Sequence, residues 1–171
     1  MVLKIALTLF TLLSYSLSNK NKQTSHKTTN ETKLYLQNNR LLYTVDKVVD
    51  GDTFWIRGNG INEKVRLIGI DAPESRSSGR KQKQYFGIEA KLFLKNYILN
   101  KQVSIELDIK KRDKYGRLLV YAYTKQGVFI NHYLVENGYA VISTYPPNVK
   151  YQKLFYTAQQ KAKEGKKGLW K

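Results

Sequence analysis

The chain has 171 residues, 42% of them hydrophobic, with 30 Lys plus Arg against 13 Asp plus Glu and a formal net charge of +17. Its length and apolar content suit one domain with a core, which excludes disorder of the whole chain, while its charge fits either a polyanionic partner (nucleic acid, an anionic membrane or an acidic polysaccharide) or a soluble basic surface with no specific partner. Cys is absent and His occurs only as His26 and His132, which excludes disulfides, thiolate chemistry and a three-histidine zinc site; any metal must rest mainly on oxygen ligands, as Ca²⁺, Mg²⁺ or Mn²⁺ would.

Residues 1–18 (MVLKIALTLFTLLSYSLS) carry one charge, Lys4, then an apolar run from Ile5 to Leu13 and the small residues Ser14, Ser16 and Ser18. This pattern predicts a cleaved secretory signal peptide and hence a secreted or periplasmic protein, with an uncleaved membrane anchor as the alternative. The apolar run is short for a transmembrane span. Residues 19–39 are polar, hold too few apolar groups to offset their ordering entropy, and are predicted to be a flexible linker. Residues 40–171 are the predicted folded domain.

Within that domain, residues 41–49 are rich in β-branched and aromatic side chains and predict a strand. Asp50-Gly51-Asp52 is a turn signal, residues 53–57 a second strand, and Gly58-Asn59-Gly60 another turn. A third strand is predicted over 63–70, where Val65 and Leu67 alternate with Lys64 and Arg66. Phe86, Ala90, Phe93, Leu94, Tyr97 and Ile98 recur at helical spacing. Val103, Ile105, Leu107 and Ile109 alternate as in a strand with one buried face, and 118–123 make a fifth strand. Phe129, Ile130, Tyr133 and Leu134 mark a shorter helix, which Gly138 is placed to stop. Tyr145-Pro146-Pro147-Asn148 breaks the chain. Leu154, Phe155, Ala158 and Ala162 mark a last helix ended by Gly165. The aromatic residues of these stripes read as core. Together the elements predict a small barrel with helices packed outside, an α+β domain.

Charge gathers beside apolar strands in three segments: Asp50-Gly51-Asp52-Thr53, the run from Arg66 to Glu74 (RLIGIDAPE), and Arg112-Asp113-Lys114-Tyr115-Gly116-Arg117. Pro73 ends sheet pairing after Asp71 and biases Ala72 to an extended shape, so Asp71 and Glu74 can converge on one mouth of the barrel. If Asp52 joins them, mutual repulsion raises their pKa values, and a hard divalent cation resolves the conflict. Such a cation holds and polarises a phosphodiester. Arg66 and Arg117 add planar, permanently charged forks that match phosphate oxygens bidentately. Each segment alone is also an ordinary turn, strand stop or hairpin; the three in this order are specific.

In this order, VVDGDT, VRLIGIDAPE and RDKYGRLLVY resemble the thermonuclease (staphylococcal nuclease-like) family, over roughly residues 41–170. The closing helix and the trailing Leu169-Trp170 echo it as well. The resemblance implies an OB-fold, a five-stranded Greek-key β-barrel with about three helices outside. It implies a calcium-dependent endonuclease acting on DNA and RNA, with 3′-phosphate products and a monomeric state. By residue, it implies that Asp52, Asp71 and the backbone carbonyl of Ala72 bind Ca²⁺, and that Glu74 is the general base. Arg66 and Arg117 match the phosphate-binding arginines, Asp50 a nearby acid that tunes the site, and Lys114 and Tyr115 residues touching the nucleotide. The family's base-stacking tyrosine is not carried over, because the spacing of aromatics around 141–145 differs; Tyr145 is the one candidate. Residues 75–83 form a variable basic loop with no transferable contacts.

Two rival readings have different requirements. A non-catalytic OB-fold binding single-stranded nucleic acid needs a basic groove and aromatics but no carboxylates facing phosphate. A secreted basic protein binding anionic surfaces needs no ordered acid cluster. The presence of Asp52, Asp71 and Glu74 with both arginines favours the enzyme.

Overall fold

The computed structural model describes residues 40–77 and 82–171. The predicted signal segment, the linker with His26, and residues 78–81 of the basic loop lie outside the described residues.

Period-2 alternation builds the barrel. Strands β1 (Leu42–Asp50), β2 (Thr53–Gly58), β3 (Ile61–Leu67), β5 (Gln102–Glu106) and β6 (Leu118–Thr124) close in the order β1-β2-β3-β6-β5. All neighbours are antiparallel except β3 and β6, which run parallel with Arg66 opposite Leu119. Val45, Phe54, Ile56, Val65, Leu67, Val103 and Val120 fill the interior. Each such side chain contributes about 1.5–3 kcal/mol by leaving water. Between and after the strands lie helices α1 (Gly87–Ile98), α2 (Ile130–Glu136) and α3 (Gln152–Glu164). They bury Ala90, Leu94 and Ile98, then Ile130 and Leu134, then Phe155, Ala158 and Ala162. The result is the OB-fold with helices outside that the resemblance implies. No helix among the described residues is long and apolar enough to cross a membrane.

Three local expectations are corrected. The predicted strand over 63–70 is two strands, β3 and β4 (Gly69–Asp71), separated where Gly69 takes φ 79°. The buried amide of Asn131 holds this break: it donates to Ile68 O at 2.9 Å and accepts from Ala122 N at 3.0 Å. β4 then pairs with β7 (Val141–Ser143), a three-residue strand too short to announce itself by alternation. The alternation through Leu107 and Ile109 overshoots, for β5 ends at Glu106 and Ile109 is 74% exposed. There the backbone leaves the sheet, and Lys110 N donates to Asn148 Oδ1 at 2.8 Å instead. Finally, Leu154 is exposed, and the buried face of α3 takes Gln159, whose Oε1 accepts from Ile142 N at 2.8 Å.

Candidate active site

The DGDT turn joins β1 to β2 and presses against two other elements. A Cβ on Gly51 would meet the side chains of Ala72 and Ala90, so only glycine lets the turn pack on the β4 exit and on α1. This brings Asp52 to Ala72. Asp52 is buried, with Oδ1 accepting from Thr53 Oγ1 at 2.9 Å and Oδ2 accepting from Ala72 N at 2.8 Å. Gly87 plays the matching part at the start of α1, where a Cβ would strike the Glu74 carbonyl. Glu74 itself is tied to the following segment by a reciprocal pair, Glu74 N to Gln84 Oε1 and Gln84 N to Glu74 O, each 3.0 Å.

Arg66 sits on β3 opposite Thr53 of β2 and Leu119 of β6. Its Nη1 donates to the carbonyls of Leu67 and Ile70, both at 2.7 Å, so the β3–β4 break itself is what it grips. Its Nη2 lies 2.6 Å from Asp71 Oδ1 and 3.1 Å from Asp52 Oδ2. Two carboxylates from different turns thus meet at one guanidinium nitrogen, in a setting where the arginine is mostly buried. Arg117 enters from the turn before β6. Its Nε pairs with Asp113 Oδ2 at 2.7 Å, and its Nη1 reaches Thr53 Oγ1 at 3.4 Å.

That second turn is braced twice. Asp113 Oδ1 accepts from the amides of Tyr115 and Arg117 at 2.9 and 3.0 Å. Arg112 clamps Glu63 of β3 bidentately, at 2.7 and 3.0 Å, while also donating to Gly116 O. Burial pushes the Asp113 carboxyl up, but the Arg117 hydrogen bond and the two amides outweigh it and hold it below its ordinary value. The Arg112 hydrogen bonds likewise lower Glu63. Asp50 behaves oppositely. Burial first, then repulsion from Asp52 and Glu74, raises it, against the opposing Gly51 N–H and Ser75 hydroxyl.

Asp50, Asp52, Arg66, Asp71, Ala72, Glu74 and Arg117 all line one open cleft of about 310 Å³. Lys114 and Tyr115 do not; they line an adjoining groove of about 590 Å³ that shares Arg66 and Arg117 with the cleft. The Tyr115 ring lies 5.5 Å from the Arg117 guanidinium carbon. Tyr145, Pro146, Pro147 and Asn148 form the facing wall of that groove. Four residues without a role assigned from the sequence take part here. Thr53 and Asp113 hold Arg117, and Lys64 and Arg76 also line the cleft. Lys64 had a usable signal, since it shares the outward phase of β3 with Arg66.

Similarity to known proteins agrees with this geometry. Residues 64–171 match the family described as staphylococcal nuclease homologue. The chain is 39% identical to the thermonuclease of Staphylococcus intermedius over 128 residues, covering 75% of each chain. It is 36% identical to the thermonuclease of Staphylococcus hyicus over 132 residues, 77% of each. With the endonuclease YncB of Bacillus subtilis (strain 168) it shares 34% identity over 129 residues, 74% of this chain and 60% of that one. An OB-fold barrel with arginines and carboxylates gathered at one mouth defines a phosphodiesterase-type site. The chain belongs to the staphylococcal nuclease family.

Proposed function

We propose that this chain is an exported, calcium-dependent endonuclease that hydrolyses phosphodiester bonds of DNA and RNA, prefers single strands and leaves 3′-phosphates. The observation that carries the reading is the meeting of Asp52 and Asp71 at Arg66 Nη2, in the cleft that also holds Glu74 and Arg117.

The donor set fits a hard dication. The cleft offers the carboxylate oxygens of Asp50, Asp52, Asp71 and Glu74 and the hydroxyl of Thr53, with no thiolate or imidazole, and among the described residues no three His, Cys, Asp or Glu converge as a ready-made cage. Two carboxylates and a carbonyl suit Ca²⁺, which takes several oxygen ligands. Asp52, Asp71 and the Ala72 carbonyl would hold it, and bound there it supplies positive charge against the phosphate oxygens. The chain's own groups do the rest. Arg66 and Arg117 hold the equatorial oxygens as they gain charge, pre-aimed by Ile70 O, Asp71 and Asp113. Glu74 accepts a proton from the attacking water. A new P–O bond forms, the bond from phosphorus to the 5′-oxygen breaks, and the leaving oxygen takes a proton from solvent. Lys114 and Tyr115 steady the neighbouring phosphate and sugar in the groove.

Incubation of the chain with single-stranded DNA, in calcium or in excess chelator, tests this reading. Cleavage in calcium to 3′-phosphate ends, abolished by chelator, is the expected result; equal cleavage in chelator overturns the calcium site. Magnesium is expected to support little activity, because it releases its waters reluctantly. Export is checked separately, by mass spectrometry of the protein recovered outside the cytoplasm. A mature N-terminus near residue 19 supports a cleaved signal, and an intact Met1 supports the anchor.

A further inference from the structure

Four cations line the cleft: Lys64, Arg66, Arg76 and Arg117. Two of them are committed. Arg66 is divided between Asp52, Asp71 and two carbonyls, and Arg117 is held by Asp113. Lys64 and Arg76 make no hydrogen bond or ion pair among the described residues. Lys64 is nonetheless aimed by the backbone. On β3, Val65 and Leu67 are buried in the barrel, so Lys64 and Arg66 project together from its outer phase, about 6.6 Å apart along the strand. Beyond β4, Ser75 is buried between Glu74 and Arg76, both of which line the cleft.

This placement answers a difficulty in the proposed reaction. A polynucleotide chain entering the cleft must bring its next phosphate past Asp50 and Glu74, which repel it. One dication at Asp52 and Asp71 does not compensate both the scissile phosphate and its neighbour. Resting on the reading that the scissile phosphate lies at Arg66 and Arg117, we infer that Lys64 and Arg76 form a second phosphate subsite. It holds the phosphodiester adjacent to the scissile one, on the side away from Lys114 and Tyr115. Contacts of this kind carry charge but no base information, so the subsite favours linkages inside a strand over those at its end without selecting sequence.

The test uses short DNA strands with one cleavable linkage, in which the phosphate on one side or the other is replaced by a neutral methylphosphonate. The wild-type chain is expected to lose about tenfold in kcat/KM when the neutral linkage lies on the Lys64 and Arg76 side, mostly through KM. In the double variant Lys64→Gln, Arg76→Gln that penalty falls to near unity, while the penalty for a neutral linkage on the Lys114 side persists. Lys64→Arg in an otherwise unchanged chain keeps the charge and retains the discrimination. Anisotropy measured with the all-phosphate strand should show a salt slope shallower by about 1.4 in the double variant, two contacts at roughly 0.7 each. A double variant that discriminates as the wild type does overturns the subsite. So does a wild type indifferent to both replacements. Failure of the wild type to cleave even the all-phosphate strand in calcium overturns the reading of the cleft itself, and the subsite with it.

Discussion

The cleft and the groove on either side of Arg66 and Arg117 are built from opposite materials. Asp50, Asp52, Asp71 and Glu74 line the cleft, whereas the groove's lining is Lys110, Lys114, Tyr115, Tyr145 and two prolines, with one acid, Asp113, already paired to Arg117. The first surface suits a hard cation and a proton acceptor; the second suits a planar ring and a flanking phosphate. Only the two arginines belong to both. Under the proposed function, a substrate satisfying both surfaces would place its reacting phosphate at that partition and its base in the groove. On the proposed reading, the acids of the cleft serve the chemistry and the rings of the groove serve base binding, joined by guanidinium groups, so variants of the cleft acids and of the groove should separate kcat from KM.

The partition itself should show the largest effect. Arg66→Lys and Arg117→Lys keep the charge but lose the fork, and each is expected to lower kcat on the order of 10²-fold or more. For Arg117 the change in KM should be much smaller than the change in rate. Near-normal turnover of Arg117→Lys would remove it from the reaction.

Next in size comes the brace behind the partition. Asp113→Asn keeps the two amide hydrogen bonds at Oδ1 but weakens the ion pair that aims Arg117. A loss of about tenfold in kcat is expected, the scale of an orienting partner. In a double-mutant cycle with Arg117→Lys the two losses should not add, because they report one interaction. Additive losses would mean that Asp113 acts elsewhere. Because its carboxyl is held below the ordinary range, any stability it contributes is present above the unfolded pKa and is lost as pH falls through the folded one.

On the groove side the effect should be smaller and lie in KM. Tyr115→Ala removes a ring that is 71% exposed and so contributes little to the fold. KM is expected to rise about fivefold or more, within the range of one lost stacking contact, with kcat changed less than KM. A fall in kcat with KM unchanged would place Tyr115 on the chemical side of the partition.

Much of this arrangement was legible in the sequence, for reasons that can be named. Arg66 is readable because Val65 and Leu67 fix the phase of β3, and the DGDT and DAPE segments because turns and strand stops are local events. What the sequence hid is non-local. Asn131 braces the β3–β4 break from 63 positions away, and Asn148 exchanges hydrogen bonds with Lys110 across 38 positions to join the two loops that wall the groove. Neither periodicity nor turn chemistry carries such pairings. The strand expected through Ile109 failed for the same reason: alternation records side-chain phase, while the Asn148 amide decides where the backbone leaves the sheet. Asp113 was visible as part of a charged turn, but its service to Arg117 depends on how that turn closes.

The smallest expected effect lies in the cleft and is read as stability against pH. Asp50 is half-buried beside Asp52 and Glu74, and its carboxyl is raised above its ordinary value of 3.8 by burial first and by those two acids next. Within the window between 3.8 and the raised value, the folded chain binds more protons than the unfolded one. Stability therefore falls as pH rises through that window, and at neutral pH the folded state carries the full cost of an ionised Asp50. Asp50→Asn removes the charge while keeping an oxygen that can accept from Gly51 N, the bond now made at 3.0 Å. The variant is expected to melt above the parent at pH 7, with the gap closing as the pH approaches 3.8 and the parent's carboxyl is neutralised as well. Added calcium should narrow the gap at pH 7, because a cation at Asp52 and Asp71 offsets the repulsion that raises Asp50. Melting curves followed by circular dichroism across pH, with and without calcium, make the measurement. A gap that stays constant with pH would show that Asp50 acts through packing and hydrogen bonding, and a variant that melts below the parent at pH 7 would show that the Gly51 bond outweighs the burial and repulsion assigned here.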